Sequence, residues 1–195
     1  MVSTTALPSI FSSFKARAEA VNAEVHHFIS RAEALAFILR FLVETDVSNS
    51  PQSYAVWADC PFLNGLDKNE LSAAVPGLTF EVTRTNCAEA KIGISQMDWG
   101  KADTGTLVQD ATAVEKRLVS TLPWIHIALI ETGKIVDDLP ALLTRIDPRQ
   151  ASFLAFISGP SRTADIERVL TIGVHGPQRL IVVAVDEMQP EGGRQ

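Results

Sequence analysis

The sequence predicts an α/β fold with an open, mostly parallel sheet and helices on both faces. Helical and strand patterns alternate along the first half of the chain, which is typical of such folds. Residues 124–130 form a nearly continuous apolar run, as expected for a parallel strand that is buried on both faces. A second apolar run, residues 180–185, follows near the end of the chain. Parallel strands need crossover connections, and helices between the strands can supply them.

Apolar periodicity and capping signals set the bounds of the predicted elements. Residues 8–21 form an amphipathic helix, and residues 24–29 alternate as a short strand. Ser30 and Glu33 have the spacing of a capping box, so a helix begins there and runs to about residue 45. The remaining predicted elements of this part are strands at 54–58, 78–82 and 92–94 and helices at 64–75, 113–122 and 139–146.

The segment from residue 153 to residue 185 is interpreted as one β-loop-α-loop-β unit. Residues 153–157 are read as a buried strand, because the apolar run is short and is bounded by glycine and proline. Ser161 or Thr163 then caps a helix over residues 166–170. The strand at 180–185 completes the unit, and the implied connection is right-handed and parallel.

The loop between that strand and that helix is a candidate anion site. Ligands of open parallel sheets lie beyond the carboxyl ends of the strands, and the free amides of a helix N-terminus favour an anion. Arg162 adds a guanidinium suited to carboxylate or phosphate. The alternative is that these residues only shape a turn and that Asp165 neutralises Arg162. The candidate ligand-binding residues here are Ser158, Gly159, Ser161, Arg162, Thr163 and, in a later turn, Gly176.

A second polar stretch precedes the apolar residues Leu107 and Val108. Asp103 is a candidate base or nucleophile, and Gly105 permits the close approach of a ligand or a bulge in the strand. Thr104 and Thr106 add hydroxyl groups as candidate ligand-binding residues. Asp103 is equally suited to a turn in which it bonds its own backbone, and the spacing does not decide between the two.

The histidines and cysteines give few candidates for chemistry. His126 interrupts the central strand, where a hydrogen-bonded core role is favoured over a catalytic role beside His175. We expect no metal in this chain, because adjacent strand residues such as His26 and His27 point to opposite faces. The two cysteines, Cys60 and Cys87, lie far apart, and a zinc site or iron–sulfur cluster usually takes three or four soft ligands.

Composition indicates a globular protein of the cytoplasm. The net charge is -6 and no cluster of lysine and arginine is present, which argues against nucleic acid as a partner. The apolar runs are too short for a membrane span, and the first residues lack the pattern of a signal peptide. We expect an N-terminal helix in residues 1–22 that serves an interface or packs on its own sheet, one α/β domain in residues 23–187, and a disordered tail in residues 188–195.

Three motifs together resemble the LUD domain family of lactate-utilisation proteins. They are Ala-Asp-Thr-Gly-Thr-Leu-Val at 102–108, Leu-Pro-Trp-Ile-His-Ile at 122–127, and residues 157–167 with 173–177. The resemblance covers about residues 92–185, and the small, cysteine-poor branch of the family is the most similar. Asp103 stands where many relatives have glutamate, which weakens a mechanism that needs a long carboxylate arm.

The resemblance implies a fold similar to the group of ribose-5-phosphate isomerase, glucosamine-6-phosphate deaminase and CoA transferases. It implies a non-redox accessory subunit of a cytoplasmic system that oxidises L-lactate to pyruvate. Iron–sulfur clusters are then expected on cysteine-rich partner subunits, with a carboxylate, phosphate or CoA ester as small ligand. One alternative is a stand-alone CoA-transferase-like or sugar-phosphate-isomerase-like enzyme that uses Asp103. The other is a non-catalytic sensor or interaction module.

Overall fold

The computed structural model describes residues 9–164, 170–172 and 175–188. The helices are α1 (Ser9–Ala20), α2 (Arg31–Glu44), α3 (Lys68–Ala74), α4 (Arg84–Ala88), α5 (Val114–Thr121) and α6 (Leu139–Leu143). The strands are β1 (Ala23–Ser30), β2 (Tyr54–Trp57), β3 (Leu78–Thr79), β4 (Ala90–Gln96), β5 (Trp99–Lys101), β6 (Thr106–Asp110), β7 (Ile125–Glu131), β8 (Ile135–Val136), β9 (Leu154–Ile157), β10 (Arg162–Ala164), β11 (Leu170–Ile172) and β12 (Arg179–Glu187). None of the helices in the described part of the chain is long and apolar enough to cross a membrane.

A parallel sheet of six strands forms the centre of the molecule, in the order β1-β12-β7-β4-β2-β3. Every strand pair in this sheet is parallel. The apolar runs at 124–130 and 180–185 become β7 and β12, and these two strands lie side by side in the interior of the sheet. The predicted parallel sheet is therefore confirmed, and so is the prediction that residues 124–130 form a parallel strand buried on both faces.

Helices cover both faces of this sheet, as the fold class requires. Because successive strand residues point to opposite faces, Ile127 and Ala128 of β7 belong to two different cores. The core around Ile127 contains Ile38 and Leu42 of α2. Ala128 packs in a second core, which is built from α1 and from strands of a smaller sheet. Val119 of α5 packs in a third cluster of buried residues, beside β2 and β4.

Helix α1 packs on its own sheet. Phe11, Phe14 and Ala18 are fully buried, at the spacing predicted for the apolar face of this helix. They share a core with Val25 of β1 and Val182 of β12. The amphipathic helix predicted over residues 8–21 is confirmed, and its apolar face is covered within the chain.

The capping box at the start of α2 is confirmed. The Glu33 amide donates to Ser30 Oγ at 3.3 Å, and the Ser30 amide donates to Glu33 Oε2 at 3.3 Å. Each bond satisfies a backbone donor that has no partner inside the helix. Helix α2 therefore begins directly after Ser30, where the sequence predicted its start.

Replacing Ser30 by alanine should lower the free energy of unfolding by about 1 kcal/mol, because the amide at the helix start loses its acceptor. Urea unfolding followed by circular dichroism measures the change. Ser50 is a matched control, since it is exposed and lies in a bend outside any helix. Equal losses for Ser30→Ala and Ser50→Ala would contradict the capping role.

A second sheet of four strands, in the order β8-β5-β6-β9, was not predicted. Strand β9 corresponds to the predicted strand at 153–157, but it pairs antiparallel with β6 at the edge of this second sheet. The prediction of a buried strand, joined to β12 by a parallel crossover in one sheet, is therefore wrong. Phe156 of β9 is 48% exposed, so β9 is not a fully buried strand.

The helix predicted over residues 166–170, with Ser161 or Thr163 as its cap, is also wrong in the part of it that the structure describes. Strand β10 pairs antiparallel with β11, with Arg162 opposite Ile172. Thr163 is therefore a strand residue and not a helix cap, and Leu170 is in a strand as well. The β-branched residues Thr163, Thr171 and Ile172 favour extended backbone. Residues 165–169 and the predicted tail at 189–195 lie outside the described residues.

Candidate functional site

A cleft of about 60 Å³ opens at the carboxyl ends of β2 and β4. This is the edge of a parallel sheet where ligands of α/β proteins bind. We call it the carboxyl-edge cleft. It is lined from the loop after β2, the end of β4, strand β6 and helix α5 by residues that include Asp59, Cys60, Ser95, Gln96, Gln109 and Lys116.

Gln109, beside this cleft, carries an unpaired hydrogen-bond acceptor. The side chain is fully buried, and its Nε2 donates to the Gln96 carbonyl at 2.8 Å. Its Oε1 has no hydrogen-bond partner. A buried polar atom without a partner costs roughly 1–3 kcal/mol of stability, and this oxygen is closed to solvent.

A buried serine and histidine lie beside the cleft. Ser95 Oγ and His126 Nε2 are 2.9 Å apart, and both residues are about 1% exposed. His126 Nδ1 has no partner. Burial lowers the pKa of His126 to about 4, so the imidazole is neutral at pH 7. A neutral imidazole can donate from one nitrogen and accept at the other.

The charged groups around the cleft are partly compensated. Lys116 Nζ donates to the Asp110 carbonyl at 3.0 Å and lies 3.9 Å from Asp98 Oδ2. Asp98 Oδ2 accepts from the Asp110 amide at 2.6 Å. Across the cleft, Asp59 pairs with Lys68 at 2.7 Å. An ammonium group has three donors, so Lys116 can still bind an anion.

Neither cysteine is activated for chemistry. Burial raises the pKa of the Cys60 thiol, and it raises the pKa of Cys87 to about 11. Both are free thiols. Cys60 therefore lines the cleft as a neutral, weakly polar group.

Two of the motifs predicted from sequence meet at the turn between β5 and β6. Thr106 Oγ1 lies 2.8 Å from Thr104 Oγ1 and 2.7 Å from Ser158 Oγ. We call Thr104, Thr106 and Ser158 the hydroxyl cluster. Asp103 Oδ1 lies 3.1 Å from Thr104 Oγ1 and 3.4 Å from Lys101 Nζ. The predicted candidates Asp103, Thr104, Thr106 and Ser158 therefore form one connected group.

Helix α1 and the residue that follows it lie directly against two glycines, Gly105 and Gly159. Gly105 has φ +63°, and a Cβ atom there would lie 2.1 Å from the backbone nitrogen of Ala18. Gly159 has φ +72°, and its Cβ would lie 2.2 Å from the carbonyl oxygen of Val21. Of the two roles predicted for Gly105, the approach of a ligand or a bulge in the strand, the first is corrected, because the backbone of α1 fills the space beside Gly105.

The other predicted site residues are spread along the surface after β9. The Ser161 amide donates to the Pro177 carbonyl at 2.8 Å, and a Cβ at Gly176 would lie 3.1 Å from Ser161 Cβ. Arg162 and His175 are exposed. Within the described residues, no hydrogen bond joins His175 to the buried His126.

Sequence reasoning did not find the carboxyl-edge cleft. Its one available signal was position, because Cys60 and Gln96 come soon after two predicted strands of a parallel sheet. Gln109 and Lys116 carry no motif, and they reach the cleft because β6 and α5 fold over the ends of β2 and β4.

Comparison with known proteins gives several relatives. The Lactate utilization protein C of Exiguobacterium sp. is 38% identical over 114 residues, which are 55% of this chain and 50% of that protein. The protein of that name from Halalkalibacterium halodurans is 36% identical over 105 residues, covering 51% and 46%. The uncharacterized protein YkgG of Escherichia coli is 29% identical over 105 residues, also covering 51% and 46%. This chain spans about half the length of these curated relatives.

A solved structure and a family profile extend the comparison to the whole domain. A crystal structure of a DUF162 family protein from Deinococcus radiodurans matches with a TM-score of 0.64 and 20% identity, covering 90% of this chain and 96% of that one. At this identity the match shows the fold alone. The profile of the LUD domain matches residues 11–185, so the protein belongs to the LUD domain family.

Proposed function

We propose that this protein serves lactate utilisation as a subunit of a cytoplasmic system that oxidises L-lactate to pyruvate. The observation that carries the proposal is its membership of the LUD domain family, together with relatives named Lactate utilization protein C at 36–38% identity. Those relatives match over about half of this chain, so the role needs an experiment on the protein itself.

The proposal assigns electron transfer to partner subunits. The chain has two cysteines, which is fewer than the three or four thiolates that a structural or redox cluster usually takes. Burial raises the pKa of both thiols, which opposes the thiolate form that metals bind. Cysteine-rich iron–sulfur subunits are the partners that would complete the reaction.

The proposed contribution of this subunit is to bind a small anion. The predicted anion site relied on a helix beginning near Arg162, where the structure has strand β10 instead. The carboxyl-edge cleft supports the proposal better, because the Lys116 ammonium lines it at the carboxyl ends of two strands of the parallel sheet.

The enzyme alternative with Asp103 as nucleophile loses one of its supports. It relied on open space at Gly105 for a thioester, and α1 fills that space. Asp103 also lies within reach of Lys101 and Thr104, as expected of a turn residue held in place. Growth of a deletion strain on L-lactate distinguishes the proposed role from that of a sensor or interaction module.

Deletion of the gene in the source organism should abolish or strongly slow growth on L-lactate, while growth on glucose is unchanged. Expression of the wild-type chain should restore growth on L-lactate. A tagged chain should also co-purify with cysteine-rich iron–sulfur proteins. Normal growth of the deletion strain on L-lactate would refute the proposed role.

A further inference from the structure

A second, larger cleft opens at the amino ends of β4, β7 and β12, on the edge of the sheet opposite the carboxyl-edge cleft. Its volume is about 310 Å³, and its lining residues are Gln52, Lys91, Trp124, Ile125, Gln178 and Arg179. We call it the amino-edge cleft. We infer that it binds a small molecule in which an anionic group is joined to a planar aromatic ring. This site is separate from the proposed function and does not depend on it.

The register of the parallel sheet brings three of the lining residues together. Ile125 of β7 is paired with Ile92 of β4 on one side and with Arg179 of β12 on the other. The residues one position earlier therefore form a row along the amino edge, in the order Lys91, Trp124 and Gln178. Neighbouring strands lie about 4.8 Å apart, so a ligand on the central residue of this row is within reach of the lysine side chain.

Trp124 provides the aromatic surface of the cleft. It is 55% exposed, and its carbonyl accepts a hydrogen bond from the Gln178 amide at 2.7 Å, which fixes its backbone against β12. Trp124 belongs to the motif at 122–127, and Gln178 directly follows the motif at 173–177, so two motifs of the sequence meet here. An exposed indole face gains stability when a second aromatic ring stacks on it.

Lys91 gives the cleft a positive charge. One of its three ammonium donors is used by the Thr45 carbonyl at the end of α2. Within the described residues Lys91 has no carboxylate partner, whereas Lys116 of the carboxyl-edge cleft lies 3.9 Å from Asp98 Oδ2. The described residues that line the amino-edge cleft include no aspartate or glutamate. Two donors of Lys91 therefore remain for an anion.

Arg179 adds a guanidinium group with a fixed orientation. Its Nε and Nη2 donate to the two carboxylate oxygens of Glu24 at 2.8 and 2.9 Å, and the group lies 5.6 Å from the centre of the Phe41 ring. Nη1 makes no hydrogen bond in the described part of the chain, and the side chain is 43% exposed. Because Glu24 balances the charge of Arg179, Lys91 attracts the anion and Nη1 adds directional donors.

The volume of the cleft limits the size of the ligand. Sites for small molecules usually start at about 300 Å³, so the amino-edge cleft lies at the lower end of that range. One ring system with one charged group fits, and a dinucleotide or a CoA ester exceeds the space. An anion without a ring would leave the Trp124 face in water.

Calorimetric titration of the purified chain with AMP, phenylacetate, adenosine and ribose 5-phosphate tests the inference. AMP joins a ring to a phosphate and phenylacetate joins a ring to a carboxylate, whereas adenosine lacks the anion and ribose 5-phosphate lacks the aromatic ring. AMP or phenylacetate should bind at least about tenfold more tightly than both adenosine and ribose 5-phosphate. The tighter of the two identifies the anionic group as phosphate or carboxylate. Any other ranking, including no binding, would overturn the inference.

Three variants test the two contacts with the tighter ligand. Trp124→Leu and Lys91→Met should each weaken its binding about tenfold, because one loses the stacking surface and the other the charge. Trp124→Phe keeps an aromatic face and should retain most of the affinity. Full affinity of Trp124→Leu or of Lys91→Met would contradict the corresponding contact and overturn the inference.

Two matched controls locate the ligand. Phe156→Leu removes another exposed aromatic ring, 48% exposed on β9. Lys116→Met removes another ammonium that donates to a backbone carbonyl, that of Asp110, but lines the carboxyl-edge cleft. Both controls should leave the affinity unchanged. Weaker binding by Lys116→Met together with full affinity of Lys91→Met would place the ligand in the carboxyl-edge cleft and overturn the inference.

Tryptophan fluorescence tests the stacking contact on the wild-type chain, even if a variant fails to fold. The chain has three tryptophans, of which Trp57 is fully buried, Trp99 lies beneath Lys134 and Trp124 is the most exposed. A ring on Trp124 shields the indole, so the tighter ligand should reduce quenching by acrylamide. Unchanged quenching at a saturating concentration of that ligand would overturn the inference.

Discussion

Replacing Gly105 by alanine is expected to lower the free energy of unfolding by about 3 kcal/mol or more. Alanine at φ +63° is strained, and its Cβ would lie 2.1 Å from the nitrogen of Ala18 and 2.5 Å from its Cα. These are backbone atoms of α1, so no side-chain rotation can relieve the contact. Helix α1 must shift, although Phe11 and Phe14 hold it in the core.

Calorimetric melting of Gly105→Ala measures this effect, and a loss of 3 kcal/mol corresponds to a melting temperature lower by roughly 6–12 °C. Gly133→Ala is the matched control. A Cβ there meets nothing within 4 Å, so its unfolding free energy should change by no more than about 0.5 kcal/mol. Wild-type stability of Gly105→Ala would show that α1 does not lie against this turn and would restore the space to a ligand.

The central sheet could be predicted because its signals are local. The apolar runs that become β7 and β12 are long enough to indicate strands buried on both faces. Ser30 and Glu33 fix the start of α2 by two hydrogen bonds within one turn. In each case the residues that determine the element are neighbours in sequence.

The second sheet could not be predicted because its pairing is not local. The apolar run at 153–157 has the composition of a buried parallel strand, yet its partner is β6, more than forty residues earlier. The helix predicted over residues 166–170 is wrong for a related reason, because a short apolar stretch is compatible with either a helix or a strand. Pairing of β10 with β11 decides that segment.

The pairing of β9 with β6 also explains how much of the candidate site could be predicted from the sequence. Both motifs of the hydroxyl cluster were recognised, but only the antiparallel register, with Leu107 opposite Ile157, places Thr106 beside Ser158. The carboxyl-edge cleft was missed because glutamine and lysine are common surface residues without a motif. Burial and an unpaired oxygen distinguish Gln109, and neither property is visible in sequence.

His126 should make the protein less stable as the pH falls from 6.5 to 4. Burial lowers its pKa to about 4 in the folded state, against an ordinary value of 6.5. The unfolded chain therefore binds a proton that the folded chain rejects, and the stability lost across this window is about 3 kcal/mol. The loss is complete below pH 4, where both states are protonated.

Urea unfolding at a series of pH values measures this loss, with His126→Gln compared with the wild type. Glutamine keeps a neutral polar group near Ser95 but does not titrate, so the variant should lose about 3 kcal/mol less than the wild type between pH 6.5 and pH 4. The difference between the two curves isolates His126, because the lowered pKa of the half-buried His26 acts in the same window in both proteins. Parallel curves would show that the imidazole reaches solvent or gains a partner when protonated, and that Nδ1 is not isolated in the core.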